Sequence, residues 1–140
     1  MNGRTVERIR EQRGAAAVEF VLIMTLLLII VFGIVEFGIA YSKVNVYTGA
    51  AREGARYAAV RCYPDSPCDG TDIETRVTNA AVGYAVGPGT PSADITCDGT
   101  NVGAEVTVSW EQDIEVNIPF LPGLNPITYT RTMQGVFRCE

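Results

Sequence analysis

Histidine is absent from all 140 residues. Its absence excludes a Ser-His-Asp or Cys-His nucleophile, a His-ligated metal and an imidazole acid or base acting near neutral pH. Positive charge is scarce as well: 11 Lys and Arg stand against 16 Asp and Glu, a net charge of −5. A nucleic-acid partner needs a basic face and is not expected. Neither a glycine-rich phosphate loop, a nucleotide fingerprint nor a nucleophile elbow occurs. No enzymatic activity, cofactor or metal is expected. The length suffices for one small domain beside one membrane segment, not for two cores.

Charge is also missing from one long stretch. Residues 15–41 hold only Glu19 and Glu36. Before them, Arg4, Arg8, Arg10 and Arg13 outnumber Glu7 and Glu11; after them come seven basic and twelve acidic side chains. Residues 20–32 are apolar apart from Thr25. About 20 residues of helix cross a hydrocarbon core of roughly 30 Å, and no polar stripe interrupts residues 20–35. A single transmembrane helix over residues 15–41 is expected, in contact with membrane lipid. The arginines keep residues 1–14 cytoplasmic and send residues 42–140 across the membrane as a head domain. The rival is a cleaved signal peptide processed at Gly38-Ile39-Ala40, but its apolar core would exceed the usual 7–15 residues.

Four cysteines, Cys62, Cys68, Cys97 and Cys139, fall on the exported side. An even number there reads as two disulfides. Of the three connectivities, Cys62–Cys68 and Cys97–Cys139 are favoured: the first closes a Pro-containing loop, the second ties down the C-terminus. The spacing from Cys62 to Cys68 is too wide for a zinc knuckle.

Glu19 stands inside the start of the apolar run. A carboxylate in hydrocarbon costs on the order of 2.5–3.5 kcal/mol, so it requires a partner or a place at the interface. Around it the chain reads Arg13-Gly14-Ala15-Ala16-Ala17-Val18-Glu19-Phe20. This resembles the type IV prepilin processing motif, a Gly followed by four residues and Glu-Phe at the head of a long apolar helix. Further on, Gly33-Ile34-Val35-Glu36-Phe37-Gly38 and Ala50-Ala51-Arg52-Glu53-Gly54-Ala55-Arg56-Tyr57-Ala58-Ala59 resemble the TadE-like pilins of tight-adherence pilus systems. Together these stretches cover roughly residues 10–60. Thr25 stands where such helices often carry proline.

The resemblance implies cleavage between Gly14 and Ala15 by a prepilin peptidase on the cytoplasmic side, which removes the leader 1–14. It implies assembly with other pilin subunits through the helix, on an inner-membrane assembly platform. The new Ala15 ammonium would pair with Glu19, beside Phe20, of a neighbouring subunit. Glu36, Arg52 and Arg56 are candidate contacts along the same helix. The long exported part implies a minor rather than a major subunit of the pilus. A membrane-anchored binding protein that never assembles is the main alternative.

The exported part predicts an α+β head. Tyr41, Val44, Tyr47, Ala51, Ala55 and Ala58 share one face of a continuing helix that ends by about Arg61. Gly49 and Gly54 invite close packing or a bend. Thr71 and Glu74 form a capping box for a second helix, with Ile73, Val77, Ala80 and Tyr84 on one face and Gly87-Pro88-Gly89 as its stop. Residues 93–97 predict a short strand and residues 102–110 an alternating one, in which Val102, Ala104, Val106, Val108 and Trp110 point inward. A last strand spans about residues 127–138. A short antiparallel sheet on the amphipathic helix would bury Trp110 and the tyrosines. Glu111, Asp113 and Glu115 alternate along a strand, which reads as a solvated acidic edge rather than a calcium site.

Overall fold

A computed structural model describes residues 3–62, 70–97, 100–118, 123 and 126–140, with side chains from residue 14 onward. The architecture is α+β: α1 (Gly3–Arg61), α2 (Gly70–Ala80), β1 (Ser92–Ala93), β2 (Glu105–Val116) and β3 (Ile127–Arg138). The three strands form an antiparallel sheet in the order β1-β2-β3. α1 lies across β2 and β3, and α2 packs beside α1 against β1.

α1 is one helix with two kinds of surface. None of residues 14–39 is buried, whereas Ala40, Tyr47, Ala50, Ala51, Ala55, Ala58 and Ala59 are. Thr25 is tolerated in the apolar half because its hydroxyl donates to the Val21 carbonyl at 2.8 Å, which satisfies it within its own helix. The buried face runs through positions 40, 44, 47 and 51. Tyr41, expected on that face, is turned about 100° from it and is exposed.

Glycine permits the two closest approaches. A Cβ at Gly54 would meet Val77 Cγ2 of α2 at 2.6 Å. One at Gly135 of β3 would collide with the Ala51 backbone, so the sheet touches α1 there main chain to main chain. Gly49 has open space and takes no part in this packing.

β2 carries the core of the head. Its burial alternates, with Val106, Val108, Trp110, Gln112, Ile114 and Val116 facing the helices. It begins at Glu105, three residues later than expected, because Asn101 and Ala104 close a turn (Ala104 N to Asn101 O, 2.9 Å) in which Gly103 has φ 86°. Val102 is consequently exposed and not in the core. β1 is shorter than the expected 93–97. Asp94 Oδ1 accepts from Thr107 N at 2.7 Å, and a side chain in the ladder ends the pairing.

α2 also stops earlier than expected. Ala81 N still bonds to Val77 O at 2.9 Å, but Val82 (φ 46°) and Gly83 (φ 84°) are left-handed and turn the chain out of the helix. Thr71 lies one residue inside α2 rather than before it. Tyr84 then reaches the core from a connection that runs back along β2, where Gly89 N donates to Glu111 O at 3.1 Å and Asp113 N to Gly87 O at 3.3 Å.

Cys97 and Cys139 form a disulfide across 42 residues of sequence. Closing such a loop stabilises by about 4 kcal/mol in the chain-entropy account. Cys62 is also disulfide-bonded, but its expected partner Cys68 lies outside the described residues.

Candidate assembly site

The residues expected at the processing site and in register pairing lie on the uncovered half of α1, and Arg52 and Arg56 on the half that meets the head. Gly14, Ala15, Glu19 and Phe20 are all exposed on a continuous helix, and Gly14 has no neighbour where a Cβ would stand. Ala15 and Glu19 are four residues apart, about 6 Å along the axis. Around them Val18, Val21, Leu22 and Ile23 are also exposed. A helix that is apolar on every side needs a lipid or protein environment. Within Gly14–Arg61 lies the apolar stretch long enough to cross a membrane, and nothing in the head covers it.

Glu36 is half-buried, 17 residues beyond Glu19. Arg52 and Arg56 are exposed. The structure does not bring Glu36 together with either arginine. Glu53 organises that surface instead. Arg76 of α2 donates to Glu53 through Nε at 3.0 Å and through Nη2. Arg56 Nη1 lies 4.0 Å from the other carboxylate oxygen of Glu53, and the Arg76 guanidinium stands 6.0 Å from the Tyr57 ring. Exposed pairs of this kind contribute well under about 1 kcal/mol each, so they orient α2 on α1 more than they stabilise it. Glu53 appears in the Ala-Arg-Glu-Gly-Ala-Arg block, but its partner on α2 becomes evident only once the two helices are side by side.

The joint between stem and head rests on a polar contact that sequence reasoning missed. Gln112 is the buried polar side chain among the described residues. Its Oε1 accepts from Trp110 Nε1 at 3.0 Å and from Gly87 N at 3.1 Å, while Nε2 donates to Ala85 O at 3.4 Å and Asp113 O at 3.2 Å. Tyr47 of α1 donates to the same Ala85 carbonyl at 2.9 Å. Its ring meets Tyr84 and Trp110 edge-on, with centroids 6.1 and 6.5 Å apart. Burial, and then the neighbouring Tyr84, raise the Tyr47 pKa above 10.0. The signal for Gln112 was its place in the inward row of β2, two residues after Trp110.

Glu111, Asp113 and Glu115 occupy the outer face of β2, the central strand, rather than an edge. Thr130 Oγ1 donates to Asp113 Oδ1 at 2.6 Å. Among the described residues no group of acidic or cysteine side chains is placed to hold a metal ion.

Residues 14–56 match the family model described as TadE-like protein, consistent with a TadE-like protein of tight-adherence pilus systems. No curated protein and no solved structure matches the chain.

Proposed function

We propose that the chain is a minor pilin-like subunit of a tight-adherence pilus, processed between Gly14 and Ala15 by a prepilin peptidase. Residues 1–14 are the cytoplasmic leader, residues 15–41 span the inner membrane, and residues 42–140 are the extracytoplasmic head. The observation that carries this reading is the coincidence of the family match with an apolar helix that the head leaves bare. Lipid covers that helix before assembly, and the stems of other subunits cover it afterwards.

Glu19 sets the register in this account. Moved from lipid into a bundle of stems, its carboxylate needs the Ala15 ammonium of a neighbour, because an unpaired buried charge costs several kcal/mol. Glu19→Ala is expected to insert into membranes as the intact chain does and to be lost from sheared surface fibres. Fractionation of membranes and fibres with an antibody to the head measures both. Unchanged incorporation of Glu19→Ala would refute the register, and absence of the protein without the substitution from fibres would favour an anchored protein that does not assemble.

A further inference from the structure

Both signs of charge occur on the helical side of the head, where α2 exposes Asp72 and Glu74, but the arginines there gather around one cleft. Five of the head's seven basic residues lie on the helices, Lys43, Arg52, Arg56 and Arg61 on α1 and Arg76 on α2. Arg56, Arg61 and Arg76 line a cleft of about 230 Å³ between α1 and α2, with Glu53, Tyr57 and Val60. Glu53 is the single carboxylate in that lining, and Arg76 and Arg56 share it. Among the described residues Arg61 has no ion pair. The cleft therefore has cationic charge to spare and an aromatic wall.

The outward row of β2 has the complementary character. Across the ladder from Glu111, Asp113 and Glu115 stand Thr132, Thr130 and Thr128 of β3. Lys43 of α1 lines a cleft with Asp113 and Glu115, but none of the three carboxylates forms an ion pair among the described residues. The result is an extended anionic surface bordered by hydroxyl groups. It lies on the outward row of β2, and at its Asp113–Glu115 end it adjoins Lys43 and Tyr47 of α1.

The arginine cleft and the acidic row share no lining residue within a copy. A two-fold dimer through either surface alone would pair like with like. Head-to-tail contact satisfies both, and such heterologous contacts repeat along an open assembly. The two surfaces also differ in height along the stem. Lys43 lines the same cleft as Asp113 and Glu115. Arg56 lies 13 residues beyond Lys43 on α1, about 20 Å at 1.5 Å per residue.

We propose that the arginine cleft between α1 and α2 docks the outer face of β2 of a second copy, with neighbouring heads staggered by about 20 Å along parallel stems. This deepens the reading of the chain as an assembling subunit and takes from it that the stems run in the same direction. Attraction between exposed charges sets the pairing and the stagger, so the contact weakens as salt rises.

The test uses the full chain in membranes of the producing cells, with a benzophenone amino acid at position 60, in the wall of the cleft. Irradiation is expected to give a dimer whose adduct maps by mass spectrometry to residues 111–115. Arg56→Glu alone and Asp113→Arg alone should each lower the yield by about tenfold, and the two together in one chain should restore it. Arg61→Glu with Glu111→Arg, both at exposed positions, provides a second swap should the first perturb folding. An adduct elsewhere, no adduct, or two swaps that fail to restore it would overturn the proposal. The adduct is read in membranes and the N-terminus of the same sample is sequenced. No adduct in a chain that starts at Ala15 removes the docking and leaves processing standing. An adduct in a chain that starts at Met1 upholds the docking and removes the pilin reading.

Discussion

Residues 14–39 and 40–61 belong to one unbroken helix, yet they are built for different surroundings. In the first part the bulky side chains point outward in every direction: Phe20, Leu22, Ile23, Leu26, Ile34 and Phe37 are all well over half exposed. In the second part the side chains turned to the sheet are small, mainly alanine, and almost fully buried. Large outward residues gain nothing from the head, so their favourable environment lies outside the chain. Small inward residues let a three-stranded sheet approach the helix backbone. One helix thus serves two interfaces, and they can be disturbed separately.

The largest separation is expected from Trp110→Ala against Leu27→Ala. Trp110 is 4% exposed and anchors both Tyr47 and Gln112. Its truncation should cost the head about 3–5 kcal/mol, read as a lower midpoint of thermal unfolding in detergent. Leu27→Ala removes a side chain that touches nothing in the head and should leave that midpoint unchanged. A matching loss from Leu27→Ala would erase the distinction between the two halves.

Gly135→Ala comes next. The added methyl collides with main chain at Ala51, which cannot rotate away as a side chain would. A cost of about 1–3 kcal/mol is expected, with membrane insertion unaffected. Gly49→Ala, on the same helix but in open space, should be neutral or slightly stabilising.

Tyr47→Phe has the smallest effect and sharpens the joint between the halves. It removes one hydrogen bond to Ala85 and should cost about 1 kcal/mol at neutral pH. Its pH dependence is distinctive. The Tyr47 pKa is raised on folding, so the folded head holds the phenolic proton more tightly than the unfolded chain does. The associated stability is complete below pH 10 and is lost as pH rises through the raised value. Tyr47→Phe should therefore reduce the alkaline decline, a difference that parallel unfolding curves at pH 8 and pH 11 would show.

Much of this arrangement was legible in the residues. The bare stem follows from an unrelieved apolar run, and β3 matches its expected limits at residues 127 and 138. The Cys97–Cys139 bridge was favoured among three connectivities because it ties the C-terminus to the domain, and it is formed. Other features depend on contacts made only after folding. The end of α2 lies at Ala80 because Val82 adopts a left-handed conformation unusual for a β-branched residue, and no local pattern announces it. Gly135 reads as an ordinary glycine in a strand until the helix lies against it. Arg76 reads as a solvated residue until Glu53 of α1 stands beside it. In the candidate assembly site, Gly14 and Glu19 were found through a motif, whereas the arginine cleft required the packing of two helices.

The account stands on the bare half of α1 being a processed stem. The direct measurement is the intact mass and N-terminal sequence of the protein from membranes of cells with and without prepilin peptidase. The expected result is a chain that starts at Ala15 only when the peptidase is present. A chain that starts at Met1 in both strains would contradict it.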